Sequence, residues 1–403
     1  MHVAFVVPFF MEATLRFVAG AAQLPGVTLS VISQDPEAKL PRPLAARVRA
    51  HWQVGDAFDP EQLCRAVTAL GAAVAPVERL IGSLEQLQEP LALAREQFGL
   101  PGISAAAAGN FRDKARMKDL LRAAGLPCAR HRLCADAGSA RAFVAACGLP
   151  VVVKPPAGAG AAGTYRLDDL PALDRYLASH PPQAARPALF EEFLSGVEHS
   201  FDSVCIDGTI VWWSVARYLP SPLTVMENPW IQWCVLLPRE LDGYQDILAA
   251  AARALGVLGL GSGMTHLEWF RRPDGGVAIS EVAARPPGAQ FTSLLSYAHD
   301  TDFYAAWPRL VITNRFEPPE RRWAVGAAYV RGMGSGRVRA IHGLDAAQRE
   351  FGELVVEARL PRPGEVQQAG YEGAGCIVLR HADTRVVERA LGRIVTLIRV
   401  ELA

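Results

Sequence analysis

A predicted β-hairpin holds the residues of this chain best suited to chemistry. Two segments, 264–270 and 277–283, alternate in polarity, and Asp274-Gly275 between them is a preferred two-residue hairpin turn. That turn pairs Glu268 directly with Glu281. Because successive side chains of a strand point to opposite faces, one face of the hairpin holds His266, Glu268, Glu281, Ala283 and Arg285.

Two carboxylates that face each other across a hairpin repel, since their Cβ atoms lie roughly 5 Å apart. A divalent cation removes this repulsion, and proteins hold Mg²⁺ with one or two carboxylates together with substrate phosphates. The pair therefore predicts a Mg²⁺ site, with Mn²⁺ as a substitute ion. A solvated acidic face or one protonated carboxylate would explain the pair equally well, and a β-bulge would shift the register.

Lysine is rare here: of the 41 basic residues only four are lysines, namely Lys39, Lys114, Lys118 and Lys154. Lys154 ends a Val-Val-Val strand and precedes a loop that contains Gly158, Gly160 and Gly163. Small side chains let backbone N–H groups approach phosphate oxygens. Lys114, at the first turn of a predicted helix, adds its charge and the exposed N–H groups of the helix end. The alternatives are a surface loop with an edge lysine and a solvated helix lysine.

An acidic segment follows the next predicted strand. The backbone of residues 192–194 can offer adenine both an acceptor and a donor, and Glu198 can bind a ribose hydroxyl. A charged strand end is the alternative explanation.

Candidate substrate residues are fewer. The aromatic stretch 226–233 predicts an apolar side-chain pocket, in which Glu227 would pair with a substrate ammonium and Trp230 would line the wall. Gly288, just after Arg285, is a further candidate. His266 can orient a phosphate or accept a proton from an amine. Ordinary core tryptophans and a structural hairpin histidine are the alternatives.

Regular elements must position these residues. Strands at 3–7 and 27–32 flank a helix at 12–24, which predicts a parallel βαβ opening. No Gly-x-Gly-x-x-Gly follows the first strand, so a dinucleotide site is not indicated. Residues 60–98 are predicted to be helical, with a further strand at 72–77. Leu100-Pro101-Gly102 ends the pattern and places a domain boundary near residue 105.

Beyond that boundary, Asn110 or Asp113 begins a helix over 111–124, which Gly125 ends. Asp207-Gly208 closes a second hairpin. Further helices are predicted at 136–148, 168–178, 245–255 and 384–399. The predicted domains are 1–105, 106–200 and 201–403.

Composition excludes several classes of function. The 403 residues suggest two or three domains, half of them apolar, and 41 basic residues balance 41 acidic ones. A phosphate-driven nucleic-acid binder would be basic. No apolar run reaches the length of a membrane span, and the first residues lack a secretory pattern. The seven cysteines include no C-x-x-C pair, which favours reduced thiols. We therefore expect a cytoplasmic protein without nucleic-acid or membrane partners.

Taken in order, these pieces resemble the ATP-grasp superfamily over about residues 100–290. The matching motifs are Arg112-Asp113-Lys114, Val153-Lys154 with its glycine loop, Glu191-Glu192-Phe193-Leu194-Ser195-Gly196-Val197-Glu198, His266-x-Glu268 and Glu281-Val282-Ala283-Ala284-Arg285. The resemblance implies an α/β (α+β) ATP-grasp fold. It would have an N-terminal βαβ pre-ATP-grasp domain, a central lid subdomain and a C-terminal mixed-sheet domain.

The resemblance also implies ATP and Mg²⁺ as cofactors, and roles for single residues. Lys114 and Lys154 would hold the phosphates under the loop 158–163, and Arg285 would bind the transferring phosphate or the acyl intermediate. The adenine-binding residues would be Glu191, Glu192, Phe193 and Leu194, with Glu198 on the ribose and Glu268 and Glu281 on the metal.

One position departs from the family pattern. Most members carry Asn two residues after the second metal glutamate, where this chain has Ala283. Glu-x-Ala-Ala-Arg with His-x-Glu upstream is similar to the L-amino-acid (dipeptide) ligase branch and unlike biotin carboxylases. Because this Asn is missing, the sequence leaves open whether one or two metal ions bind.

The implied reaction is the ATP-dependent joining of a carboxylate to an amine through an acyl phosphate, with release of ADP and phosphate. Small-molecule acids and amines are the expected partners, and the apolar first domain favours a homodimer. Two other hypotheses remain: a carboxylase-type ATP-grasp enzyme, and a non-catalytic ATP-binding protein marked by Ala283. Retention of both lysines, both glutamates and Arg285 argues against the second.

Overall fold

The computed structural model describes residues 1–158, 163–228, 231–333, 336–367, 370, 372–373 and 375–403. Two predicted site residues, Gly160 and Trp230, lie outside these ranges.

The N-terminal region is a parallel four-stranded sheet in the order β3-β2-β1-β4. Its strands are β1 His2–Val6, β2 Thr28–Ser33, β3 Ala50–Gln53 and β4 Arg79–Ile81. Its helices are α1 Glu12–Ala21, α2 Arg42–Ala45, α3 Pro60–Ala73 and α4 Gln88–Phe98. The predicted βαβ opening is confirmed.

The strand predicted at 72–77 is wrong. The side chain of Asp59 caps α3, and Pro60 occupies its first turn, so a strong start favours a long helix. Leu63, Val67 and Leu70 bury one face of α3, which keeps the chain helical to Ala73. The strand comes later, at β4.

Two helices follow, α5 Ala105–Arg112 and α6 Lys114–Ala123, where one helix was predicted. Asp113 divides them, because its side chain accepts hydrogen bonds from the backbone N–H groups of Ala115 and Arg116. Both helices bury apolar residues in a core cluster shared with the largest sheet.

A central four-stranded antiparallel sheet has the order β5-β8-β6-β7. Its strands are β5 His131–Cys134, β6 Val151–Lys154, β7 Tyr165–Leu167 and β8 Ala188–Glu192. Helices α7 Ala137–Cys147 and α8 Leu170–Ser179 cover it, with Phe143, Val153, Leu173 and Phe190 in its core.

The largest sheet has eight antiparallel strands in the order β13-β12-β9-β10-β11-β14-β17-β16. These are β9 Val197–Ile206, β10 Thr209–Leu219, β11 Trp233–Leu237, β12 Gly263–Arg271, β13 Val277–Ala283, β14 Ala324–Val330, β16 Val355–Arg359 and β17 Gly375–His381. A two-stranded sheet pairs β15 Val338–His342 with β18 Arg399–Leu402. The remaining helices are α9 Pro222–Glu227, α10 Gln245–Leu258, α11 Phe291–His299, α12 Phe303–Thr313, α13 Leu344–Phe351 and α14 Thr384–Leu397.

The N-terminal sheet is fixed on the large sheet by α1 and α12. Phe17 packs edge-on against Trp307, with ring centroids 5.3 Å apart. Gly20 allows this close approach, because a Cβ there would lie 2.2 Å from the carbonyl oxygen of Tyr304. The division at residues 105 and 200 remains a prediction. In the part of the chain described, no helix is both long and apolar enough to cross a bilayer.

Candidate active site

The β12–β13 hairpin places Glu268 opposite Glu281, and His266 opposite Ala283, as predicted. The route to this register differs from the predicted one. The N–H of Arg272 donates to the carbonyl of Gly276 at 2.9 Å, which leaves three residues in the loop instead of two. An irregularity between Glu268 and Trp269 then shifts the pairing by one residue. The longer loop and the irregularity each shift the register by one residue in opposite directions, so Glu268 still pairs with Glu281.

The two faces of this hairpin have different environments. Leu267, Trp269 and Val282 are fully buried in the core behind it. The other face opens onto a cavity of about 360 Å³. The phosphate, adenine and ribose candidates in its lining are Lys114, Lys154, Gly158, Glu191, Glu192, Phe193, Leu194 and Glu198. The metal, catalytic and substrate candidates there are His266, Glu268, Glu281, Arg285 and Gly288. Gly163 lies beside Pro155, outside the lining.

Lys114 holds the second hairpin glutamate. Its Nζ lies 2.6 Å from Oε1 of Glu281 and donates to the carbonyl of Gly158 at 2.8 Å. A lysine therefore neutralises part of the repulsion that predicted a cation. The helix end itself offers no free donors of the kind expected, because Asp113 caps it and the N–H of Lys114 donates to the carbonyl of Pro156.

Glu191 forms the centre of a buried charge network. Its carboxylate lies 3.0 Å from Nζ of Lys154 and 3.4 Å from Nζ of Lys118. Burial opposes ionisation of Glu191, but the two lysines together hold its pKa below the usual range. Burial lowers the pKa of Lys154, yet Glu191 and Glu281 raise it above normal. The side chain of Glu191 therefore fixes Lys154. Only the backbone of Glu191 is left to contact adenine.

Lys118 is a site residue without a predicted role. It is 0% exposed and donates to the carbonyl of Ser280, next to Glu281, at 2.6 Å. Two signals in the sequence point to it: lysine is rare, and Lys118 lies four residues after Lys114, on the same helix face.

Glu85 was also missed. It lies after β4, is 7% exposed, and joins two arginines from distant parts of the chain. Its Oε2 accepts from Nη2 of Arg285 at 2.8 Å, and its Oε1 accepts from Nη1 of Arg112 at 3.1 Å. The carboxyl ends of strands in a parallel sheet are common ligand sites, which is the signal that could have found it.

His266 is held as a cation. Its Nδ1 lies 2.7 Å from Oδ1 of Asp202, a buried carboxylate one strand away, and its Nε2 lies 3.8 Å from Glu268. Burial lowers the pKa of His266, but Asp202 and Glu268 overcome this and raise it to about 9. The geometry therefore favours a role in orienting an anion over one in accepting a proton.

The predicted adenine and ribose residues form one end of the cavity. Glu192 pairs with Arg130 at 2.6 Å, and the guanidinium of Arg166 lies 4.2 Å from the ring centre of Phe193. Burial, with Glu268 and Glu281 nearby, raises the pKa of Glu198 well above its usual range, although Lys154 opposes this. A neutral Glu198 can both donate to and accept from a hydroxyl.

The opposite end of the cavity is aromatic. Tyr218 packs edge-on against Trp233 at 5.6 Å and against Phe291 at 5.8 Å. The segment forms helix α9, whose first residues face the cavity, and Glu227 lies exposed at its last turn, outside the lining; its substrate role remains a prediction. Ala289, next to Gly288, has a positive φ of 46°, a strained conformation that often marks a binding site.

The hairpin glutamates suit a cation that takes ligands from a substrate. Within the ranges described, no three or more His, Cys, Asp or Glu residues gather as a metal site. Two carboxylates are nevertheless enough for Mg²⁺ when phosphate oxygens complete its shell. Glu268 and Glu281 fit that requirement, and Ala283 adds no ligand.

Two curated relatives are ligases of Bacillus subtilis. The L-arginine-specific L-amino acid ligase is 24% identical over 230 residues, covering 55% of this chain and 54% of that protein. The alanine–anticapsin ligase of strain 168 is 26% identical over 250 residues, 57% of this chain and 51% of that protein. The chain thus spans about half the length of the curated relatives it matches. No protein-family model matches.

Solved structures match over the whole chain. The L-amino acid ligase from Bacillus licheniformis has a TM-score of 0.78 at 18% identity, covering 100% of this chain and 98% of that one. The N5-carboxyaminoimidazole synthetase from Staphylococcus aureus complexed with ADP has a TM-score of 0.72 at 14% identity, covering 98% and 96%. The resemblance and the mixed α/β fold class drawn from the motifs are confirmed.

Proposed function

We propose that this chain, which has the ATP-grasp fold and resembles the L-amino-acid ligases, is an ATP-dependent carboxylate–amine ligase. It would join a small acid, such as an amino acid, to an amine and release ADP and phosphate. One observation supports this above all: a single cavity is lined by two lysines, two opposed glutamates and an arginine, at Lys114, Lys154, Glu268, Glu281 and Arg285.

The chemistry needs this concentration of charge. A carboxylate is a poor electrophile, so its oxygen first takes the γ-phosphoryl group of ATP, giving an acyl phosphate and ADP. The amine then attacks the carbonyl carbon, phosphate leaves, and the amine loses a proton. The first step brings two anions together, and fixed cations lower the cost of that approach. Lys114, Lys154 and Arg285 supply those cations in the cavity lining.

Buried partners hold two of these cations in place. Glu191 fixes Lys154, and Glu85 fixes Arg285 through two hydrogen bonds, at 2.8 and 3.2 Å. A side chain held before the substrate arrives pays less to bind it. Mg²⁺, which Glu268 and Glu281 would hold, supplies further charge neutralisation at phosphate oxygens when it is bound.

The aromatic end of the cavity favours an apolar group on one substrate. Tyr218, Trp233 and Phe291 line it, and Arg285 lies in the same lining at the polar side. An acid with an apolar side chain can place its carboxylate at Arg285 and its side chain against the rings. The proposed partners are therefore small acids and amines. A cytoplasmic location is part of the same proposal.

A second candidate is ATP-dependent carboxylation, favoured by the likeness to the ADP-bound N5-carboxyaminoimidazole synthetase. The two functions differ in the acid that is phosphorylated, which is bicarbonate in a carboxylase. Phosphate release that depends on bicarbonate, and not on an added amino acid, would identify this second activity.

The direct test is a screen of the twenty amino acids, in pairs, for Mg²⁺-dependent release of phosphate from ATP. The proposal expects release with some pairs and a matching dipeptide by mass spectrometry. Glu281→Ala should abolish release, because one of two carboxylates for the cation is lost. Full turnover by that variant would show the metal assignment to be wrong. Light scattering would test the proposed homodimer on the same sample.

A further inference from the structure

A second cavity, of about 400 Å³, lies between the N-terminal sheet and the large sheet. Its walls come from β4, α4, the loop after α10 and α12. As far as the described residues show, no lining residue is common to this cavity and the first one. It is therefore a separate site from the proposed active site.

Arg95, on α4, is a buried cation in the lining of this cavity. It is 8% exposed, and Nη2 donates to the carbonyl of Ile103 at 3.3 Å. Its Nε is buried without an acceptor. Within the described ranges, Glu96 is the carboxylate that acts on its charge, and the side chain of Glu96 accepts a hydrogen bond from the backbone N–H of Ala105. Burial lowers the pKa of Arg95 to about 10, although Glu96 opposes this. A buried charge without a counter-charge is costly, so a protein keeps one only where something offsets the cost.

The guanidinium of Arg95 also has a fixed position. Gly102 has a φ of +150°, and a Cβ there would lie 2.8 Å from the guanidinium carbon. The backbone therefore packs directly against the planar group, which any larger residue at 102 would displace. A fixed fork of donors is the arrangement that binds carboxylates.

The other charged groups of the lining also favour an anionic ligand, because positive groups outnumber negative ones. Arg79 donates to the backbone carbonyls of Ile312 and Glu78, and these two acceptors are neutral groups. Asp207 is exposed, and its Oδ1 accepts from Asn314 at 3.2 Å. The lining thus holds two guanidinium groups and one carboxylate.

The remaining wall is largely apolar. It includes Ile81, Ile103, Leu260, Met264, Trp307 and Leu310. Such a wall disfavours a strongly hydrated phosphate dianion and favours a ligand with one charged end and an apolar body.

We propose that this second cavity binds a small organic carboxylate with an apolar side chain, of the amino-acid class, with its carboxylate on Arg95. Its apolar part would contact Trp307 and Leu310, and an α-ammonium group would be attracted to Asp207. The ligand then places a carboxylate in direct contact with Arg95, whereas Glu96 acts on it only from a distance.

The test compares wild type with Arg95→Met, which keeps the length of the side chain and removes the charge. Calorimetric titration and thermal unfolding would use three probes: L-leucine, 4-methylpentanoate and inorganic phosphate. We expect both carboxylates to bind wild type and to raise its Tm, and we expect Arg95→Met to weaken that binding about tenfold or more. Without any probe, Arg95→Met should have an unchanged or higher Tm, because an unpaired buried charge is gone.

Each other outcome contradicts the proposal. Binding of phosphate alone would assign a different ligand class. Equal binding by both proteins would place the carboxylates elsewhere, for instance in the active cavity. A lower Tm for Arg95→Met with unchanged binding would make the guanidinium a structural group.

Two further variants separate the sites and guard against misfolding. Ile103→Phe narrows the cavity while Arg95 stays, and it should also weaken binding of 4-methylpentanoate. Arg285→Met, which removes the proposed carboxylate-binding cation of the first cavity, should leave that binding unchanged.

Discussion

The two cavities of this molecule hold buried charge in opposite ways. In the active cavity each lysine already has a carboxylate: Lys114 contacts Glu281, and Lys154 contacts Glu191. In the second cavity, within the described ranges, Arg95 has no carboxylate in ion-pair contact, and Glu96 acts on it only from a distance. A paired cation is held in position, and its partner offsets part of the free-energy cost of burying the charge. An unpaired cation gains the most electrostatic stabilisation when an anionic ligand binds. The contrast is consistent with the two proposals, a reaction in the first cavity and the binding of a carboxylate in the second.

The largest effect should follow from removing a paired cation in the active cavity. Lys154→Met takes away a charge beside the proposed phosphate position, and we expect kcat/KM for phosphate release to fall by about 10² to 10³. Lys39→Met is the matched control, because Lys39 is an exposed lysine paired with Asp35. Turnover by Lys154→Met within twofold of wild type would remove Lys154 from the mechanism.

The next effect is on stability, and it compares the loss of a buried cation near the first cavity with the loss of one in the second cavity. Lys118→Met leaves Glu191 with one cation in a buried site and removes the bond to the carbonyl of Ser280. We expect the free energy of unfolding to fall by about 3 kcal/mol in urea titrations. Arg95→Met, by contrast, should leave it unchanged or raise it.

Glu191→Gln in the Lys118→Met background provides the control for that experiment. It lowers the negative charge to match the lost positive one, so part of the stability should return. If Lys118→Met and Arg95→Met destabilised the protein equally, the difference between paired and unpaired charge would have no energetic basis.

A smaller effect is expected from the contact between the N-terminal region and the site. Glu85→Gln weakens the hold on Arg285, so KM for the acid substrate should rise about tenfold while KM for ATP stays constant. Glu85→Asp should recover part of the loss. Glu89→Gln, an exposed neighbour on α4, should behave as wild type. A fall in kcat alone, or in ATP affinity, would contradict the positioning role.

The smallest effect is on acid stability, and it comes from a buried histidine that lies near Arg217 and Arg271. His199 stacks on Trp269 behind the active face, and burial lowers its pKa to about 4. Its folded pKa is below the unfolded value of 6.5, so its contribution is complete above pH 6.5 and is lost as pH falls towards 4. At pH 5.5 the loss is about 1 kcal/mol.

His199→Phe should remove that part of the pH dependence while keeping a ring against Trp269. Urea titrations of both proteins between pH 7 and pH 5 would show the difference. Identical slopes of unfolding free energy against pH would contradict the depressed pKa.

The parts of the fold that could be predicted from sequence are those set by local patterns. Alternation and a Gly turn placed the β12–β13 hairpin, and caps such as Asp113 marked helix starts. The extent of α3 could not be predicted well, because burial of Leu63, Val67 and Leu70 against the sheet extends the helix beyond its local signals. Helix α9 was not predicted, although the side chain of Ser221 caps its start and Pro222 occupies its first turn.

The site shows the same limit. Glu268, Glu281, Lys154 and Arg285 were predicted because their roles follow from motifs within short segments. Glu85 was not, because its partner Arg285 is 200 residues away and the contact depends on how two sheets are arranged. Even the correct pairing of the glutamates needed a three-residue loop and a bulge to compensate each other, which no local rule predicts.

Isotope labelling tests directly whether a carboxylate is activated as an acyl phosphate in the first cavity. The acid substrate found in the pairwise screen is labelled with ¹⁸O in its carboxylate, and the released phosphate is analysed by mass spectrometry. We expect one ¹⁸O atom in each phosphate, because the carboxylate oxygen leaves with the phosphoryl group. Phosphate without label, formed at the same rate as the amide, would contradict it.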